Sequence, residues 1–126
     1  MNERNKAEWI CSEVCGFHTA FTYDKWSLAI IRHSAQFDWN APAVYGRHLE
    51  TDEAFVLLSG NAVMTEAGNG NQPTEPKGTA LQMQQICVIP RGVWHQLRLS
   101  EDACVLVAEN SNTSAANSEK YRTEEA

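Results

Sequence analysis

Short apolar runs rich in β-branched and aromatic residues recur along this chain, and glycine, proline, asparagine and charged residues punctuate them. Residues 26–33, Trp-Ser-Leu-Ala-Ile-Ile-Arg-His, are rich in β-branched and aromatic side chains and predict a strand. Residues 53–58 predict a second strand and residues 62–66 a third. Ser59, Gly60 and Asn61 lie between them, and a Gly-Asn pair takes the positive φ values that a hairpin turn needs. Residues 79–83 and 86–89 predict two short strands. Pro90, Arg91 and Gly92 then turn the chain into a strand over 94–99, and Ser100, Glu101 and Asp102 turn it into the last clear strand, 104–109. Short strands separated by turn signals, with hardly any helix, predict an all-β sandwich or closed barrel.

The remaining stretches read differently. Residues 67–78 hold three glycines and two prolines and predict a long exposed hairpin tip that is mobile and tolerates shortening. The Gly68-Asn69-Gly70 pattern inside it has no helix to follow, which argues against a phosphate loop. Residues 37–45 carry Pro42 and read as a loop or an irregular edge. Residues 1–25 lack clear alternation and are expected to form an arm over a sheet edge, its own or a partner's. Within them, residues 7–15 have the spacing of two helical turns, with Trp9 or Ile10 and Val14 on one side. After Asn110 the composition falls to Asn, Ser, Thr, Ala and Glu, which predicts a strap over the surface or a disordered tail. The expected organisation is an arm over 1–25, a barrel over 26–110 and a tail over 111–126.

Composition narrows the function classes. A chain of 126 residues with 43% hydrophobic content suits one packed domain. Its net charge of -6 argues against a nucleic-acid-binding role, which needs a basic face. No apolar run approaches the roughly 20 residues of a membrane span, and the first residues lack a signal-peptide core, so a cytoplasmic protein is expected. In a reducing compartment the four cysteines are free thiols. Cys87 and Cys104 lie in apolar strands and read as packing residues. Cys11 and Cys15 are one helical turn apart, either a metal or redox pair or two small residues near the core.

Chemistry concentrates in two stretches. In the first, four residues separate His48 from Glu53, and six separate Glu53 from Gly60. In the second, Pro90, Gly92 and His95 stand in the pattern Pro-x-Gly-x-x-His. Together these stretches resemble the two signature motifs of the cupin superfamily, over roughly residues 26–110. The resemblance implies a double-stranded β-helix, a small jelly-roll barrel with a pocket at one end. It also implies that His48, Glu53 and His95 are three ligands of a divalent metal such as Zn, Fe, Mn or Ni; in an enzyme built on this site, Glu53 or a bound water would handle a proton. Three positions depart from the family pattern. Gly46 stands where the first histidine is expected, Gln84 where the second motif opens on glycine, and Leu99 where it can close on asparagine.

Strand alternation supports a pocket independently. If Glu53 points inward, so do Phe55 and Leu57; if His95 does, so do Leu97 and Leu99. Polar groups would then sit at a mouth with apolar side chains deeper in. Two imidazoles and a carboxylate suit a borderline divalent ion with open positions for substrate or water. The alternative is a metal-free cupin in which His48 and His95 are hydrogen-bonded pocket residues. Of His33 and Arg32, at most one faces the pocket. Arg98 is out of phase with His95 and is expected to be exposed, Glu50 and Asp52 suit a solvated turn, Trp94 suits core packing, and His18 lies outside the clear pattern.

Three functions remain open: a metal-dependent enzyme on a sugar-like or small-acid substrate, a small-ligand-binding or sensing module without catalysis, and a structural subunit. A homodimer is also expected. Trp9, Ile10, Val14, Phe17, Phe21 and Tyr23 need cover, and the resemblance implies a two-fold pair, as is common among small cupins.

Overall fold

The computed structural model describes residues 4–123 and consists of two five-stranded antiparallel sheets with their apolar faces packed together. The strands are β1 (Gly16–Tyr23), β2 (Trp26–Arg32), β3 (Val44–His48), β4 (Glu53–Ser59), β5 (Ala62–Glu66), β6 (Lys77–Ala80), β7 (Ile86–Ile89), β8 (His95–Leu99), β9 (Cys104–Asn110) and β10 (Ser118–Arg122). One sheet runs β1-β2-β9-β4-β7 and the other β10-β3-β8-β5-β6. Successive strands alternate between the two sheets from β2 to β5 and from β6 to β10, with the β5–β6 hairpin inside one sheet, which is a jelly-roll arrangement. Helix is limited to two single 3₁₀ turns, Ala35–Phe37 and Ala115–Asn117.

Alternation decides which side chains enter the core. Phe55 and Leu57 from β4, Val105 and Val107 from β9, Ala29 and Ile31 from β2, and Leu97 and Leu99 from β8 are all buried. Leu99, Val105 and Val107 lose essentially all contact with water, and each such burial contributes about 1.5–3 kcal/mol. Gly60 makes the tight β4–β5 turn possible; these strands do not pair, so the turn carries the chain from one sheet to the other rather than closing the expected hairpin. The φ of Gly60 is +73°, and a Cβ there would lie 2.5 Å from Ala103 Cα.

Three strands lie outside the segments that alternation marks. β1 is paired to β2 along its length, but a bulge between Thr19 and Phe21 shifts its register and breaks the period of two. β3 carries Gly46 at its centre, and β10 (Ser-Glu-Lys-Tyr-Arg) has one aromatic among polar residues; each is specified by pairing to the other, Ser118 to His48 through Arg122 to Val44. The strand expected over 79–83 is Lys77–Ala80, followed by an irregular return with a bridge from Leu57 to Met83.

The N-terminal segment differs from the helical expectation. Residues 7–14 have no regular structure. Arg4, Glu8, Trp9 and Ile10 lie against Phe21, Leu28, Ile30 and Leu106 on the outer face of the chain's own sheet, with Arg4 over the Phe21 ring. Cys11 and Cys15 are therefore exposed rather than near the core, because this segment is a cover and not a core element. Among the described residues, no helix is long and apolar enough to cross a membrane.

The tip at 67–78 is anchored at its start. Ala67 is buried beside Trp94 and Tyr45 in a second apolar cluster. Ala67 N–H donates to Trp94 O and Trp94 N–H to Gly68 O, both at 2.9 Å. The Trp94 indole N–H donates to Gly70 O at 2.9 Å, and the Arg47 guanidinium stacks on the same indole at 4.2 Å. Only the outer part of the tip is free of such anchors. Removing residues 71–73 is thus expected to move the melting temperature by only a few degrees. Trp94→Ala should cost about 3–5 kcal/mol and lower the melting temperature by roughly 10 °C or more. Thermal unfolding followed by circular dichroism checks both.

Candidate functional site

Three strand ends meet at one end of the barrel. His48 is the last residue of β3, Glu53 the first of β4 and His95 the first of β8. The turn at Pro90, Arg91 and Gly92 ties them together. Gly92 N–H donates to His48 O at 2.7 Å, and Arg91 N–H to Asp52 Oδ1 at 2.8 Å. The two stretches singled out in the sequence are thus joined by their backbones before any side chain is considered.

Glu53 is 4% exposed. Its Oε1 lies 2.9 Å from His95 Nε2 and 3.3 Å from His48 Nε2. One ligand atom from each residue falls within 4.8 Å of the others. Close as they are, neither ring is angled to donate a hydrogen bond to Oε1, which is buried without a hydrogen-bond partner. These contacts are electrostatic rather than directed hydrogen bonds. The outer nitrogens explain the ring orientation. His95 Nδ1 lies 2.9 Å from Val93 O. A carbonyl only accepts, so Nδ1 carries a proton, and in the neutral ring Nε2, on the Glu53 side, is the unprotonated nitrogen. His48 Nδ1 lies 2.7 Å from Ser118 Oγ, a partner that can give or take the hydrogen. Phe55 meets the His95 ring edge-on, with centroids 6.0 Å apart.

A fourth group, Glu109, escaped the sequence reading. It stands on β9, where Val105 and Val107 point inward, so the same alternation delivers its side chain to the cavity beside Glu53. Burial, then hydrogen bonding to the Glu53 carboxylate and repulsion by it, push the Glu109 carboxyl up to about 8. Burial works to raise Glu53 as well. The polar contacts of His48, His95 and the Glu109 carboxyl outweigh it and hold Glu53 well below the usual carboxylate range. At neutral pH the pair is one carboxylate and one carboxylic acid.

These groups line an open cavity of about 680 Å³ whose walls include Ile31, Phe37, Phe55 and Leu97. Ser118, Lys120 and Arg122 of β10, the edge strand of the sheet that carries His48 and His95, reach it as well. Gly46 also lines it, directly opposite His95 in the β3–β8 register. A Cβ at Gly46 would meet only Glu119 O, at an ordinary 3.7 Å, so the place of the missing first histidine is open space.

The other candidates fall elsewhere. His33 pairs with Asp38 at 2.8 Å, and Arg32 donates to Ser12 O at 2.7 Å. His18 is exposed on β1. Arg98 is half-buried rather than exposed, because its guanidinium folds onto the 35–42 segment and donates to Ala41 O at 2.8 Å. Trp94 is 2% exposed and packs in the second cluster, away from the cavity. Asp52 and Glu50 are exposed turn residues; Glu50 Oε1 accepts from Asn112 and Asn117.

Solved structures share this architecture. The QdtA 3,4-ketoisomerase from Thermoanaerobacterium thermosaccharolyticum, as a double mutant in complex with TDP, aligns with a TM-score of 0.59 at 17% identity over 73% of this chain and 63% of that one. A 3,4-ketoisomerase from Helicobacter canadensis aligns with a TM-score of 0.58 at 17% identity, over 73% of this chain and 65% of that one. The WlaRB TDP-quinovose 3,4-ketoisomerase from Campylobacter jejuni gives 0.57 at 19% identity, over 76% and 68%. This chain thus spans just under two thirds of the length of the first two. No protein-family model and no curated protein matches the sequence. At these identities the likeness is one of fold, and with the two motifs in place the fold is that of the cupin superfamily.

The carboxyl pair predicts a pH dependence of stability. Glu109 is raised from an ordinary 4.5 to about 8 in the folded chain. Between those values the folded state binds more protons than the unfolded state, so stability falls as pH rises through this window. Glu53 acts in the opposite sense, losing its contribution as pH falls below its ordinary value. In chelator-treated protein the melting temperature of wild type should decline from pH 5 to 8 relative to Glu109→Gln. Parallel curves for the two would show that Glu109 ionises normally.

Proposed function

We propose that His48, Glu53 and His95 hold one divalent metal ion in a cavity that takes a small polar metabolite, and that the protein is an enzyme acting on a sugar-like or small-acid substrate. One observation carries the metal reading: Glu53 Oε1 is buried and lacks an aimed donor, with His95 Nε2 and His48 Nε2 only 2.9 Å and 3.3 Å away. A buried carboxylate oxygen without a directed donor is costly unless a cation lies beside it. Two imidazole nitrogens and a carboxylate oxygen suit Zn, Fe(II), Mn or Ni, and such three-residue sets leave positions open. The outer nitrogens are supported as ligating histidines usually are, by Val93 O and Ser118 Oγ.

A bound ion would supply Lewis acidity toward a substrate oxygen. The chain's own part is proton handling. In the metal-free chain Glu109 keeps its proton up to about pH 8 beside an ionised Glu53, which places a proton donor next to the Glu53 carboxylate. Such a pair suits a proton shift next to a carbonyl. The shared fold with 3,4-ketoisomerases supports the sugar-like substrate class.

A second reading rests on the 2.9 Å contact itself. With His95 protonated at both nitrogens it is an ion pair, and the cavity is a metal-free site for binding or proton transfer. Elemental analysis after reconstitution separates the two. One ion per chain is expected, with affinity reduced more than about 100-fold in His95→Ala and increased in Gly46→His, which adds an imidazole where space is open. A content well below one ion per chain would leave the metal-free reading.

We also propose a two-fold dimer. Trp9, Ile10, Val14 and Phe17 remain between 45% and 92% exposed even though the segment covers its own sheet. Light scattering at micromolar concentration should give twice the 14.1 kDa chain mass; a monomer mass refutes it, and retention of the dimer after truncation of residues 1–15 would remove this segment from the interface.

A further inference from the structure

We infer that Lys120 and Arg122 of β10 form an anion-recognition strip at the cavity mouth, so that the ligand is a metabolite carrying an acidic group, a carboxylate or a phosphate. This deepens the reading that the cavity binds a small polar metabolite and does not depend on the metal.

Two observations agree on where these side chains lie. Both residues line the cavity. Independently, the register pairs Ser118 with His48, Lys120 with Gly46 and Arg122 with Val44, while Gly46 pairs with His95 on its other side. Directly paired residues of antiparallel strands share a face. Lys120, Gly46 and His95 therefore form one row across the sheet, on the face that carries the imidazoles. The intervening residues of β10 fix this orientation from the opposite face. Glu119 pairs with Arg47 at 2.6 Å, and Tyr121 packs on Trp94 with centroids 6.1 Å apart.

The row has a gap at its centre. Gly46 places no side chain between His95 and Lys120, whose Cβ atoms are about 10 Å apart across two strand spacings. A three- to six-carbon compound can span it, with its acidic end at β10 and its oxygen-bearing body against His95. Neither Lys120 nor Arg122 has a carboxylate partner among the described residues. Of the acids around the row, Glu119 pairs with Arg47, and Glu53 and Glu109 contact each other and the histidines, while Glu66 stands at the far end, beyond His95. Two cations without a carboxylate partner among the described residues, at the mouth of a chain with net charge -6, select for an anion and orient it as it enters.

The test titrates the full chain, after chelator treatment, with glucose, gluconate and glucose 6-phosphate, by calorimetry. At least one acid should bind on the order of tenfold or more tightly than glucose, with affinity falling as salt rises. The acid that binds identifies carboxylate or phosphate. Lys120→Gln with Arg122→Gln should reduce that binding about tenfold or more, while Lys120→Arg with Arg122→Lys retains it. Equal binding of glucose and the acids, binding of neither acid, or unchanged binding in the charge-removing variant each overturns the proposal. Should that variant fail to fold, the salt dependence of wild type decides. Metal content is measured on the same samples, so loss of the metal reading leaves the anion result standing, and the reverse.

Discussion

The buried negative charge of Glu53 is the constraint on which the rest of this molecule depends. A carboxylate taken out of water costs several kcal/mol unless other groups compensate it. Its compensation comes from three other strands. His48 and His95 reach it from the opposite sheet, and Glu109 from the neighbouring strand of its own. The charge therefore sits where the two sheets close, and it is stable only when the barrel is assembled. That dependence gives the site its character: a low dielectric, a carboxylate held ionised, and a second carboxyl forced to keep its proton.

Adjacent residues divide the work between the cavity and the wall behind it. His48, His95 and Ser118 point inward, while their neighbours Arg47, Trp94 and Glu119 point outward and hold one another. Arg47 stacks on Trp94, pairs with Glu119 and donates to Gly70 O at 2.8 Å. A strand anchored on its outer face cannot rotate its inner face, so the outer clamp sets the imidazoles. The backbone bond from Gly92 to His48 O does the same along the strand direction. Function and stability are thus carried by neighbouring positions on the same three strands, β3, β8 and β10.

The inward residues were legible because alternation is a local property. Phe55 and Leu57 follow Glu53, and Leu97 and Leu99 follow His95, at intervals of two, and all are buried. Glu109 follows Val105 and Val107 by the same rule and was there to be read, but an acidic residue ending an apolar strand looks like a boundary rather than a site. β1 was obscured by its bulge, since one shifted residue moves every later side chain to the other face. β10 carried no local signal at all.

By itself the sequence determined the all-β class, the inward faces of β4 and β8, and the spacing that singles out His48, Glu53 and His95, since hydrophobic period and motif spacing are written within a few neighbouring residues. Only the tertiary structure decided that Glu109 stands beside Glu53, that the tail from Ser118 to Arg122 is a strand of the barrel, and that Lys120 faces His95 across an empty Gly46. Those relations join residues tens of positions apart through backbone hydrogen bonds, and a backbone bond is blind to the side chain it carries. Which strand pairs with which is settled by how two sheets close around one core, and no local pattern encodes that.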